Sequence, residues 1–133
     1  MTLIYFLSPF VGYLIAGSIK LCINVIINKK FSLNLIGMGG MPSTHTSVVS
    51  SPLTLAIIHE GIDQPLVGIG GALLVIVIID AMDLRRKIGN HAVLINKLTK
   101  NHDKLRERTG HNFIEVIGGL LTGIFAGYLL SFC

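Results

Sequence analysis

The chain has 133 residues, one small domain's worth, of which 51% are hydrophobic and 14% charged, with no tryptophan and a mean hydropathy of +0.71. A soluble domain of this length has too little interior to bury so much apolar surface, which sets aside a water-soluble helical core. The net charge of +4 and a pI near 9.3 need no nucleic-acid role, because the basic residues follow a membrane pattern.

The first apolar segment, Leu3–Ile27, is uncharged except for Lys20. It is too long for a signal peptide, has no basic stretch before it and offers no small-residue cleavage site. The second, Ser43–Ile58, is shorter and carries Pro52; the third, Pro65–Ile79, is almost purely aliphatic; the fourth, Phe113–Phe132, carries Glu115 near its start. A spanning helix needs about 20 apolar residues, so the second and third must borrow flanking residues. Four membrane helices in a single domain, residues 1–133, are expected. Within 88–108, Val93, Leu94, Ile95 and Leu98 stand among polar residues, which predicts a short amphipathic helix in the interface, with a solvated linker as the alternative. The fold class is therefore an all-α integral membrane helical bundle.

Lys29 and Lys30 lie between the first two segments and eight more Lys and Arg between the last two, whereas the intervening "HEGIDQ" has none. With four crossings the two basic connections share a side, which the positive-inside rule makes cytoplasmic, with both termini outside in a bacterial-type plasma membrane. Gly119, Gly123 and Gly127 recur every four residues, a spacing that lets membrane helices approach closely, and Gly68 and Gly71 invite the same reading. Cys22 and Cys133 have no ligand-like spacing and read as buried or tail thiols.

Three polar constellations interrupt this pattern. In "GMGGMPSTHTSVVSS", Pro42 suits a first helical turn, Ser43 or Thr44 suits a cap, and the free N–H groups of a helix start suit an anion, with His45 beside them. Hydroxyl-mediated helix packing is the plainer reading. In "DAMDLRRK", Asp80 directly follows an aliphatic run, where an ionisable group is expensive and so a functional candidate. Asp83 can share a helical face with Arg86 and Lys87, and Arg85 and Arg86 offer planar forks for phosphate oxygens; a basic anchoring girdle is the alternative. In "TGHNFIEV", His111 and Glu115 are four apart, so the carboxylate can orient the imidazole; a capping box between Asn112 and Glu115 competes for the same group. All three constellations fall on the side expected to be cytoplasmic. Together they suit phosphoryl transfer from a lipid phosphate, with one histidine attacking, the other protonating the leaving oxygen, and cations and N–H groups holding the charge.

"PSTH" resembles the "PSGH" element of the type 2 phosphatidic acid phosphatase superfamily, which includes vanadium-dependent haloperoxidases, and His111-x-x-x-Glu115 resembles its His-x-x-x-Asp element. In order, "GGMPSTHTS", "DAMDLRRKIGNHAVLIN" and "GHNFIEVIGGLLTGI" are similar to the divergent, small membrane branch of that superfamily, over Gly39 to Ile124. The resemblance implies a phosphomonoester or pyrophosphate substrate without metal or other cofactor. It makes His111 the nucleophile, Glu115 its orienting acid, His45 the general acid and Ser43 a phosphate ligand. Thr44, Arg85 and Arg86 join the phosphate site, with Asp80 and Asp83 as support. The chain departs from the wider pattern in several places. No Lys-x6-Arg-Pro precedes Pro42, Leu105 stands six residues before His111 where an arginine is expected, Thr44 replaces glycine and Glu115 replaces aspartate. A non-catalytic lipid-phosphate-binding or transport protein is the alternative. The expected partners are membrane lipids and a lipid phosphate, no nucleic acid, and a second copy to complete so small a shell.

Overall fold

The computed structural model describes residues 2–28, 40–99 and 104–133; Lys29, Lys30, Lys100 and the glycines at 37 and 39 lie outside them. Helices α1 (Thr2–Asn28), α2 (Thr44–Glu60), α3 (Pro65–Ile79), α4 (Arg85–Leu98) and α5 (Phe113–Leu130) follow in order, and no strand occurs among the described residues. The molecule is a helical membrane bundle. Among the described residues three helical runs are long and apolar enough to span: Leu3–Ile27, Pro65–Leu98 and Phe113–Leu130.

The fourth expected crossing, α2, differs from those three. Its 17 residues rise about 25 Å, short of a hydrocarbon core of about 30 Å. It packs on α1, α3 and α5 at once and so occupies the centre of the bundle. There its sequence makes sense, because a helix shielded from lipid need not be greasy. Thr44, Thr46, Ser47, Ser50 and Ser51 of α2 are all buried, while the large apolar side chains of α1, α3 and α5 point outward. Ser47 Oγ donates to the Gly12 carbonyl at 3.1 Å and Ser51 Oγ to that of Ser8 at 2.9 Å, tying α1 to α2. Such bonds contribute only about 0.6 kcal/mol each in membranes, so close packing must hold the helices together.

That packing is the glycine stripe of α5. A Cβ at Gly119 would collide with the Ser43 carbonyl, one at Gly123 with Ser47 and Ser50, and one at Gly127 with Ser51 and Thr54. The ascending register makes α2 and α5 parallel. Gly68 and Gly71 depart from the expectation, since added Cβ atoms there would meet nothing; Gly70 faces Leu53 and Gly12 faces Ser47 instead. Cys22 is exposed, as is the terminal Cys133, so the buried alternative does not hold for either.

The largest departure concerns the third connection. The expected amphipathic helix is present as α4, but it does not follow a break. Instead α3 runs through a π turn, Asp80–Leu84, directly into α4, a helical run of 34 residues. The chain then returns along α4. Asn96 clamps it by donating to the Leu105 carbonyl at 2.7 Å and accepting from its N–H at 2.9 Å. Gly89 lies against Glu107 and Gly110 against Arg86, contacts that a side chain would block.

Candidate functional site

The ends of the bundle are distinguished by hydrogen bonds. At one end Tyr5 donates to Glu60 at 3.1 Å, and His59 meets the Ser131 carbonyl at 3.4 Å. At the other end all three constellations meet. The Ser43 N–H donates to the Glu115 carbonyl at 2.8 Å, joining the first to the third, and the His111 N–H donates to the Ala81 carbonyl at 3.0 Å, joining the third to the second.

Glu115 is buried and serves two roles that the sequence set in competition. Its Oε2 accepts from the Asn112 N–H at 3.1 Å, while Asn112 Oδ1 accepts from the Glu115 N–H at 2.8 Å, completing a capping box. The same Oε2 faces His111 Nδ1 at 3.1 Å, and Arg108 Nη2 donates to Oε1 at 2.9 Å. A carboxylate has lone pairs for all three. With Nδ1 held by Glu115, Nε2 is the nitrogen left for chemistry. His111 is 3% exposed, and burial pushes its pKa below the ordinary histidine range, against the hydrogen bond to Glu115, which raises it. The neutral, nucleophilic imidazole is thus favoured.

The two helix starts are not equivalent. Asn112 and Glu115 cap α5, which leaves it unsuited to an anion. Helix α2 begins at Thr44, with Pro42 before the cap rather than in the first turn, and Ser43 makes no side-chain cap. Ser43 is wholly buried and its Oγ accepts from Thr46 at 2.9 Å, so its hydroxyl serves the interior. The uncapped first turn of α2 therefore presents N–H groups and a positive dipole end to whatever lies in front of it.

What lies in front is a cation that motif matching missed. Lys20, on α1, is 1% exposed and donates from Nζ to Thr44 Oγ1 at 3.1 Å. A signal was present: a single lysine in a 25-residue apolar span is costly by the same argument that singled out Asp80. Arg108, whose sequence signal is topological charge alone, reaches the site through Glu115.

The arginine pair divides. Arg85 pairs with Asp80, and its charge acts on both His45 and His111. The π turn makes this pairing possible. Residues five apart diverge on an α-helix but return to one face where the turn widens, and the Arg85 N–H reaches back to the Asp80 carbonyl. Arg86 lines a different cavity of about 250 Å³ together with Asn90, Arg108, His111 and Glu115. Asp83 is not drawn in; it pairs with Lys87 at 2.9 Å on the exposed surface.

His45 and His111 line different cavities at this end of the bundle, yet the rings are within electrostatic reach of each other. His45 opens on a cavity of about 320 Å³ with Thr44, Tyr13, Val48, Val49 and Val77, and its Nδ1 is buried without a partner among the described residues. Lys20 and Arg85 act electrostatically on both rings. Among the described residues no three His, Cys, Asp or Glu side chains converge as a metal site. Lysine, arginines and N–H groups suit an oxyanion.

Residues 2–126 match the family model described as the divergent PAP2 family. The chain is also 32% identical, over 146 aligned positions, to the uncharacterized membrane protein YuiD of Bacillus subtilis (strain 168), with 95% of this chain and 92% of that protein covered. No solved structure matches. With the motif order, the buried His–Glu pair and the match over nearly its whole length, the chain belongs to the divergent PAP2 family of membrane proteins.

Proposed function

We propose that the protein is a metal-independent phosphatase of the plasma membrane. It hydrolyses a lipid phosphate or pyrophosphate through a phospho-histidine, at the cytoplasmic end of the bundle. The observation that carries this reading is the buried His111–Glu115 pair set beside the uncapped start of α2 and Lys20. His111 Nε2 attacks phosphorus and the P–O bond to the lipid oxygen breaks. His45, protonated, gives its proton to that oxygen. Water then attacks the phosphorus, His45 takes a proton from it, the P–N bond breaks and inorganic phosphate leaves. Lys20, Thr44, Arg85 and the α2 N–H groups hold the phosphoryl oxygens, with Arg86 on the outer side.

Purified protein given lipid phosphates and pyrophosphates in the presence of chelator is expected to release inorganic phosphate, with vanadate competing. The separate cavities of His45 and His111 favour a second reading, a lipid-phosphate-binding or transport protein without turnover. Tight binding of the same lipids with no release of phosphate would select it.

The sidedness has its own test. In protein lacking Cys22 and Cys133, Asp63→Cys is expected to label from outside the cell and Lys104→Cys only after permeabilisation. Labelling of both from outside would place the site on the opposite face.

A further inference from the structure

The cavity at His45 does not stop at the site. Val48 and Val49 wall it on one side and also wall a second, apolar cavity of about 500 Å³ that continues along α2 past Pro52, Leu53 and Ala56. Pro9 of α1 and Leu66, Ile69 and Leu73 of α3 close its flanks. The two cavities form one groove between α1 and α3, which both pack on α2. The groove begins at the polar end with Thr44 and His45 and ends at the Tyr5–Glu60 hydrogen bond. From His45 to Glu60 the axis of α2 rises about 22 Å. One leaflet of a hydrocarbon core about 30 Å thick is only about 15 Å deep.

We propose that this groove takes the single, long hydrocarbon chain of the lipid phosphate whose head group sits at His45, Thr44 and Lys20. The inference rests on the reading of that end as a lipid-phosphate site and names the substrate class further. Continuity carries it, because the apolar walls start at the side chains that would face the phosphate ester. Length specifies it: one groove houses one chain, and the chain that fills it passes the bilayer midplane. The Tyr5–Glu60 pair bounds its length.

The test uses the full chain in nanodiscs with butyl phosphate, hexadecyl phosphate and two-chained dioleoyl phosphatidic acid. Hexadecyl phosphate is expected to exceed both others at least tenfold in kcat/KM. Leu73→Trp adds bulk at a half-exposed position away from the α2–α5 packing. It is expected to lower kcat/KM for hexadecyl phosphate more than tenfold and for butyl phosphate less than threefold. Equal handling of one and two chains, or an equal loss for both alkyl phosphates, overturns the proposal. If no phosphate is hydrolysed, hydrolysis fails as the function and the groove is judged by binding. A hexadecyl phosphate with a diazirine on its terminal carbon should label the Tyr5 and Leu66 region, and less so in Leu73→Trp. Labelling confined to the outer face of α5, or disulfide linkage of two copies through Leu73→Cys showing that a second protomer fills the groove, overturns it.

Discussion

His111→Ala is expected to abolish both turnover and the covalent phospho-enzyme. Among the described residues no other group combines a fixed ring, a neutral nitrogen and a carboxylate behind it. The Nδ1 contact to Glu115 at 3.1 Å orients the ring and stabilises the imidazolium character that develops once Nε2 carries phosphorus. The loss belongs to chemistry rather than to stability, because Glu115 keeps its bonds to Asn112 and Arg108 when the ring is removed, and α5 remains capped. Phospho-enzyme trapping by acid quench reads the intermediate directly. Turnover retained in well-folded His111→Ala would remove the nucleophile assignment and leave the residue as packing.

The pH profile adds a second reading of the same pair. His111 must be neutral to attack. Burial lowers its pKa, so with respect to this group the activity persists as pH falls below the ordinary histidine range and is lost only as pH falls through the lowered value. Glu115 opposes that shift by raising the pKa. Glu115→Gln keeps an acceptor for the cap but removes the charge, so the acid limb of kcat/KM should move to lower pH while the rate falls. An acid limb that stays in place would mean Glu115 is only a cap.

The helical membrane class, the three constellations and the α5 glycine stripe were readable because each rests on a local rule: apolar run length, motif spacing and a four-residue period. The remainder depended on partners that no local rule supplies. Helix α2 read as a marginal span because its lipid shielding comes from α1, α3 and α5. The π turn at Asp80–Leu84 has no strong sequence mark, yet it decides that Arg85, not Arg86, pairs with Asp80. Lys20 matched no motif, and only the tertiary fold brings it 3.1 Å from Thr44, 24 residues later. Its place at the start of α2 also bears on the departure from the wider superfamily, because this end still holds a buried cation where the Lys-x6-Arg-Pro element is lacking.

His45→Ala is expected to slow hydrolysis of a lipid phosphate by about 10²–10⁴-fold, the usual range for loss of a general acid or base. The position argues for that role over a second nucleophile. The ring stands in the first turn of α2, beside Thr44 and at the head of the apolar groove, where the ester oxygen of a lipid phosphate would lie if its phosphoryl group met Lys20 and the N–H groups. The buried Nδ1 has no partner among the described residues, so no carboxylate orients this ring through Nδ1 as Glu115 orients His111. A general acid matters in proportion to the need of the leaving group for a proton. The loss in kcat/KM of His45→Ala, which reads only the steps through P–O cleavage, should therefore shrink to about tenfold or less with a nitrophenyl phosphate, whose leaving oxygen departs as a stable anion, and phospho-His111 should still form. In that variant dephosphorylation becomes the slow step, because the attacking water loses its base, and the phospho-enzyme should accumulate after a burst of nitrophenol. An equal loss on both substrates with no accumulation would mean that His45 binds or packs rather than moves a proton.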